Sequence, residues 1–509
     1  MKFRWRAGMA AAMTLALATP ALAQSGVQEQ ININTHAPAT PFPHFWEEMF
    51  GSPHANMTLR ADYRRDLRSV KKVTDFDYVR FHGILDDGNG VYSEDQHGNA
   101  VYNFQLVDHI YDGLLKNGVR PMVEISFMPK QLAFNPYDLH VFWYHPNVSP
   151  PKSWKKWDDL IRAFAQHLVN RYGINEVSQW YFEVWNEPNI DFWGGIPRQQ
   201  SYFELYAHTA RALKSVSPRL RVGGPATAAA SWVPQFLDYM HAHNVPVDFV
   251  STHGYADDTV WNLFHTHQHI PMDERVCKAI EKVDGQIAAS PMPHLPLFWT
   301  EWNVQGHYQD RDTTFVGPAV ANTIRQCDGK VKMMSFWTFT DDDFEEGGPI
   351  AYPFNGHFGL IAEDGIKKPS YYDFSLLHQL GDVRLANPSK DAIVTRTKNG
   401  TLAIAVWNLV DVGPGGVVDG PTKHITLHFT GLPAGATATV SRVDDQHGNT
   451  LALYKKMGSP QYPTMRQVAE LNKESALPPP TERKIVDGNL DLTLEPNALV
   501  MVKVKEPGR

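Results

Sequence analysis

Two glutamates stand in settings that suit paired-carboxylate chemistry. Glu187 lies in Trp185-Asn186-Glu187-Pro188-Asn189, and Glu301 in Thr300-Glu301-Trp302-Asn303. One carboxylic acid that keeps its proton and one carboxylate that has lost it can cleave a glycosidic bond together. The first protonates the leaving oxygen, and the second attacks the sugar or activates water. Pro188 stops the strand that precedes it, so Glu187 emerges at a strand end. A single glutamate in such a place is usually half of an ion pair, but two in matching settings point to catalysis. Glu183 shares the strand face of Glu187, four residues deeper, and with Glu124 suits a structural role.

The elements that must position this pair read as an α/β chain. Strands are expected at 45–51, 78–83, 120–127, 180–186, 220–224, 249–254, 297–302 and 333–339, with helical stretches such as 157–172 and 202–215 between them. Eight strands in series predict a closed (β/α)8 TIM barrel over residues 41–380. A doubly wound open sheet is the alternative, but no glycine-rich phosphate turn follows the first strand. In such a barrel functional side chains gather where strands end, which places Glu187 on the fourth and Glu301 on the seventh, across one mouth. From 381 to 509 alternating strands at 392–397, 402–408, 424–429, 438–443, 490–494 and 499–504 predict an accessory β-sandwich. The segment 24–40 is read as adding a strand to that sandwich through 30–34. The stretch 461–482, with Pro478-Pro479-Pro480, reads as a long loop.

Other strand ends carry groups suited to a sugar. His82 ends the second strand, and His253 and Tyr255 close the sixth at alternate positions, where they can meet hydroxyls; a satisfied core histidine is the other reading of His253. Tyr255 is expected to hold Glu301 in its ionised form. Trp337, ending the eighth strand, is expected either as a stacking floor beneath a sugar or as core packing. His265-Thr266-His267-Gln268-His269 has no carboxylate or cysteine at ligand spacing, so an exposed polar loop is expected rather than a metal site. The acidic run 341–346 lacks the glycine-punctuated pattern of a calcium loop and is expected to be solvated or to face the sugar. No metal and no cofactor is called for.

Taken in order, the motifs resemble glycoside hydrolase family 39, part of the clan of retaining (β/α)8 glycosidases and a family that includes β-xylosidases and α-L-iduronidases. The resemblance spans nearly the whole chain after its first residues. It rests on Arg80-Phe81-His82-Gly83-Ile84-Leu85-Asp86-Asp87, Glu124-Ile125-Ser126-Phe127-Met128-Pro129, the Glu187 and Glu301 motifs, His253-Gly254-Tyr255, Ser335-Phe336-Trp337-Thr338-Phe339 and Lys368-Pro369-Ser370-Tyr371-Tyr372. It implies that Glu187 is the general acid/base, that Glu301 is the nucleophile of a covalent glycosyl-enzyme, and that Asn186 hydrogen-bonds the sugar 2-hydroxyl. Glu345 resembles a sugar-binding glutamate of the β-xylosidase members. A retaining reaction requires carboxyl groups about 5–5.5 Å apart.

The activity implied is that of an exo-acting β-xylosidase, releasing xylose from the non-reducing ends of xylo-oligosaccharides. No basic cluster at the strand ends is placed to grip a uronate. The alternatives are another exo-glycosidase, such as an α-L-arabinosidase, or an exopolysaccharide endo-hydrolase. A non-catalytic carbohydrate-binding protein is the reading from a different class, and it has no use for a matched acid and nucleophile.

Composition narrows the partners. With 55 acidic and 47 basic residues the formal charge is -8, which argues against nucleic acid and anionic membranes; an oligosaccharide partner is what the resemblance implies. Lys2, Arg4 and Arg6, the apolar run 7–18 and Ala21-Leu22-Ala23 have the pattern of a secretory signal peptide cut after Ala23, so a periplasmic or secreted protein is expected. Cys277 and Cys327 are the only cysteines. In an oxidising compartment they are either a disulfide or two buried thiols, and spacing does not choose between these.

Overall fold

The computed structural model describes residues 26–304, 308–341, 345, 350–413 and 417–505. The expected leader at 1–23, and Asp342, Asp343, Phe344 and Glu346 of the acidic run, lie outside the described residues. Among the described residues no helix is long and apolar enough to cross a membrane.

Eight parallel strands close into a barrel in chain order: β1 Met49–His54, β2 Tyr78–His82, β3 Arg120–Ile125, β4 Tyr181–Val184, β5 Arg221–Thr227, β6 Phe249–His253, β7 Leu297–Trp302 and β8 Met333–Phe336. Ser335 and Phe336 of β8 pair with Met49 and Phe50 of β1 to complete the ring. One layer of the interior, Met49, Tyr78, Met122, Phe249, Phe298 and Met333, comes from strand beginnings and plugs the N-terminal end. Helices wrap the outside because their apolar residues recur at helical spacing. Trp154–Tyr172 buries Trp157, Leu160, Ile161, Phe164 and Leu168 and is capped by the Ser153 hydroxyl, which accepts from the Lys156 N–H.

The differences from the expected strands have local causes. β1 starts four residues later than expected, because residues 45–47 form a turn in which the Glu47 N–H donates to the His44 carbonyl. β4 stops at Val184, since Trp185 (φ 72°) and Glu187 (φ 39°) leave extended geometry. The expected loop at 461–482 instead holds the helix Met465–Glu474. Its start is fixed by a capping box between Thr464 and Gln467, a signal the proline run obscured.

The β-rich remainder is two packed sheets. One runs Ala39–Pro41, Val383–Leu385, Ala392–Arg396, Leu402–Trp407, Leu499–Lys505, Thr437–Val443 and Thr481–Lys484. The other is Val27–Asn34, parallel to Lys423–Thr430, which pairs with Asn489–Leu494. Their facing side chains, including Ile31, Ile404, Leu427, Leu492 and Val502, form one buried cluster. The chain enters the barrel through Ala39–Pro41 and leaves it through Val383–Leu385, and these two connectors pair antiparallel.

Cys277, in the helix Met272–Ala288, and Cys327, at the end of Val316–Cys327, are joined as a disulfide with Cα atoms 5.2 Å apart. The bond closes a loop of sequence separation 50 between two neighbouring barrel helices. Replacing both cysteines by alanine should cost about 2–4 kcal/mol of unfolding free energy in denaturant titrations, with turnover at the native temperature unchanged.

Candidate active site

Arg80 organises the barrel mouth. It and His82 alternate with outward Phe81 along β2, so both point inward, and Arg80 is fully buried. Its Nε donates to Glu183 Oε2 (2.6 Å) and its Nη1 to Glu301 Oε1 (2.6 Å). Nη2 donates to Asn186 Oδ1 (2.9 Å) and lies 2.8 Å from Glu124 Oε2. One guanidinium therefore holds carboxylates from β3, β4 and β7. The Thr300 hydroxyl donates to the remaining oxygen of Glu183 (2.7 Å), so Glu183 is a buried strut.

Glu187 follows β4 with its N–H donating to the Ala226 carbonyl (2.8 Å), which fixes the turn that presents its side chain. His253, at the end of β6, lies between the two glutamates, with Nδ1 3.0 Å from Glu187 Oε1 and 3.7 Å from Glu301 Oε1. An oxygen of Glu187 and one of Glu301 stand within 4.8 Å of each other. The Tyr255 hydroxyl donates to Glu301 Oε2 (2.7 Å), so Glu301 accepts on both oxygens.

The Glu187 carboxyl is strongly perturbed by its surroundings. Burial pushes the Glu187 carboxyl up to about 7, helped by the negative charges of Asp191 and Glu124 against the opposing His82 and Arg80. Burial also presses His253 down to about 4, so it is a neutral imidazole at pH 7. His82 goes the other way. Burial disfavours its charge, yet Glu124 (Nδ1 to Oε2 2.7 Å), Glu345 and Glu301 outweigh that and raise it to about 9. The ligating atoms of Glu187, His253 and Glu301 are close enough for a metal ion. The Arg80 and His82 cations already face Glu301, however, and would repel a second positive charge there.

Above these groups is a cavity of about 440 Å3, lined by His82, Asn186, Glu187, Tyr255, Glu301, Trp337 and Glu345 together with His140, Phe142, Phe192, Asp257, Asp258, Arg311 and Phe358. His253 is not in the lining; it lies fully buried beneath the two glutamates. Trp337 follows β8 as part of the floor, its ring centroid 4.9 Å from that of His82. The Asn303 amide donates to the Trp337 carbonyl (2.5 Å). Gly51 lies under the indole, where any Cβ would collide with the ring.

The Glycosyl hydrolases family 39 profile matches residues 29–484. The chain belongs to that family. It is 36% identical to the β-xylosidase of Caldicellulosiruptor saccharolyticus over 486 residues, 91% of this chain and 95% of that protein. It is also 36% identical to the β-xylosidase of Geobacillus stearothermophilus over 479 residues, 91% and 92% of the two chains. A crystal structure of a monomeric β-xylosidase from Caulobacter crescentus CB15 superposes with a TM-score of 0.84 at 32% identity, covering 94% of this chain and 100% of that one. The (β/α)8 barrel with its accessory sheets, and the glycosyl hydrolase class, thus agree between this family 39 chain and its relatives.

Several residues of this family 39 site are not visible to motif reasoning. Arg80 belongs to the motif that ends the second strand, yet only the structure shows it at the hub; its sequence signal is an arginine two residues before His82 on a strand that must be buried. His140 and Phe142 come from the segment after β3 and line the cavity, while Val141 and Trp143 are exposed. The Trp143 N–H donates to the Glu345 carbonyl (2.9 Å), and Tyr144 Oη lies 3.4 Å from Glu345 Oε1. Asp341 is not in a solvated loop: it is buried, with Lys368 Nζ 2.5 Å from Oδ2 and 2.7 Å from Asp312 Oδ1. His265, His267 and His269 are exposed, with His267 stacked on Trp261.

Arg80→Met should leave three buried carboxylates without their shared cation. The expected loss is about 3–5 kcal/mol of unfolding free energy by chemical denaturation, far above the cost of removing a surface arginine.

Proposed function

We propose that this protein is an exo-acting, retaining β-xylosidase that releases xylose from the non-reducing ends of xylo-oligosaccharides. The observation that carries the mechanism is the pair of glutamates within 4.8 Å of each other across His253, of which Glu187 is raised to about 7. Oxygens that come within that limit suit double displacement better than inversion, for which the carboxyl groups stand about 6.5–9.5 Å apart to admit water. The sugar is argued from the curated β-xylosidase relatives, which align over nine-tenths of the chain. A cavity of about 440 Å3 suits a pocket for a chain end rather than a long polymer cleft, since small-molecule sites occupy about 300–1,000 Å3.

In the first step Glu301 attacks the anomeric carbon while Glu187 passes its proton to the leaving oxygen, giving a glycosyl-enzyme and a free alcohol. In the second, Glu187 takes a proton from water, the hydroxide oxygen displaces Glu301, and xylose leaves. Arg80 and Tyr255 orient the nucleophile by donating to its two oxygens, and one of these contacts loosens as the attacking oxygen turns to carbon. His253, neutral and without a partner at Nε2 among the described residues, is best assigned a proton on Nδ1 that it donates to Glu187 Oε1. The acid proton of Glu187 then belongs on Oε2. Asn186, whose Oδ1 is held by Arg80, has its Nδ2 left to donate to a sugar hydroxyl. Trp337 offers an apolar surface beside the ring.

Secretion to the periplasm or medium belongs to the same reading. It is supported by the basic start, the apolar run and Ala21-Leu22-Ala23, and N-terminal sequencing of exported protein should begin at Gln24.

A panel of nitrophenyl glycosides tests the whole reading. Wild type should hydrolyse the β-xyloside fastest. Glu187→Ala should lose about 10²–10⁴ in kcat on substrates with poor leaving groups, and azide should restore turnover as a β-glycosyl azide. Glu301→Ala should be inactive and give no β-azide. Inactivity of wild type on every sugar, or normal turnover by Glu301→Ala, would defeat the assignment.

The pH profile follows from the sign of the Glu187 shift. The reactive form is protonated, so kcat/KM should fall as pH rises through about 7. That alkaline limb should vanish in Glu187→Ala assayed on a dinitrophenyl xyloside, whose leaving group needs no proton.

A further inference from the structure

At the end of the barrel opposite the two glutamates, three side chains meet that the hydrolytic reaction does not use. His44 and Glu47 lie at either end of the turn leading into β1, and His378 follows the helix Pro369–Leu377. His44 Nδ1 is 2.5 Å and His378 Nδ1 2.8 Å from the same Glu47 oxygen, Oε1. One ligating atom from each of the three lies within 4.8 Å of the others. The Glu47 side chain is only 3% exposed, and its other oxygen, Oε2, is buried with no hydrogen-bond partner among the described residues. A buried carboxylate with two donors crowded on one oxygen and none on the other is poorly satisfied by hydrogen bonds alone. The His44 ring is held by stacking on Trp46 (centroids 4.5 Å apart). A cavity of about 270 Å3 opens on the cluster, its wall continued by Glu48, Asp75 and Asp77, the last two paired with Lys71.

We propose that His44, Glu47 and His378 bind a divalent transition metal of borderline softness, Zn2+, with water from the cavity as fourth ligand. Two imidazoles and a carboxylate form a nitrogen-rich donor set that suits zinc and disfavours Ca2+ and Mg2+, which take oxygen. Bonds of about 2.0–2.2 Å in a tetrahedral site put ligand atoms roughly 3.4 Å apart, so the cluster need open by less than about 1 Å to admit the ion. The metal would replace the hydrogen bonds now made by the two Nδ1 atoms and neutralise the buried Glu47 charge. Because His44 and Glu47 precede the first barrel strand and His378 follows the last barrel helix, the ion would clamp the two ends of the barrel segment. It stands away from the glycosidic chemistry and would serve stability.

The test is zinc binding by full-length protein first stripped with a chelator. Elemental analysis after gel filtration should find one Zn2+ per chain, and added Zn2+ should raise the wild-type Tm by a few degrees. His378→Ala and Glu47→Gln should lose both responses while keeping the wild-type circular dichroism spectrum. Co2+ should give the intense visible bands of a tetrahedral site in wild type and not in His378→Ala. His267→Ala, in the exposed histidine run, should bind zinc as wild type does. The proposal is overturned if stripped wild type takes up no zinc, if His378→Ala binds it equally, or if His267→Ala removes it instead.

Discussion

The arrangement of carboxylates at the barrel mouth depends on the Arg80 charge, taken out of water. Burying the Arg80 guanidinium alone would be prohibitive, and burying Glu124, Glu183 and Glu301 without it equally so. Together they form a set in which each side chain is fixed by the others, with contacts of 2.6–2.9 Å to groups on three further strands and to Asn186. The result is preorganisation. Glu301 and Asn186 are oriented before any sugar arrives, so little reorganisation is left for the reaction. Such a set is a poor way to gain stability, since a packed apolar core would do as well, and its presence is explained by the site.

Two histidines a few ångströms from Glu301, both buried, end with opposite charge states, one neutral and one cationic. His253 loses its charge because its neighbours do not compensate for desolvation, while His82 keeps its charge through direct contact with Glu124. A neutral imidazole beside Glu187 leaves that carboxyl free to be an acid. A cationic one there would hold it ionised, and the proposed acid role would be lost.

The barrel was legible in the sequence because its strands are buried apolar runs set between helices of helical period, and the candidate pair because each glutamate stands in a distinctive setting at a strand end. What could not be read were features set by distant parts of the chain. Arg80 reads as any strand arginine until Glu183 and Glu301, 103 and 221 residues away, are brought against it. Asp341 looked like one of several surface acids, and only the position of Lys368 makes it half of a buried ion pair. The disulfide required the separation of two helices, which spacing does not supply. The helix at Met465–Glu474 has a local signal, the Thr464 and Gln467 capping box, which stands against the loop signal of the prolines at 478–480.

The paired connectors Ala39–Pro41 and Val383–Leu385 mean that the barrel is an insertion within the sandwich, whose strands come from both sides of it. Val27–Asn34 is made first during synthesis, yet its partner Lys423–Thr430 is made only after the whole barrel. Until then this strand has no ladder to join. Closing an unstructured loop of nearly four hundred residues would be entropically costly and slow. A folded barrel brings its own entry and exit side by side, so that strand needs to span only a short gap to its partner. The order of assembly is thus written into the topology: the catalytic barrel acts as the template on which the accessory sheets close, and a barrel that stalls leaves an unpaired strand edge open to aggregation.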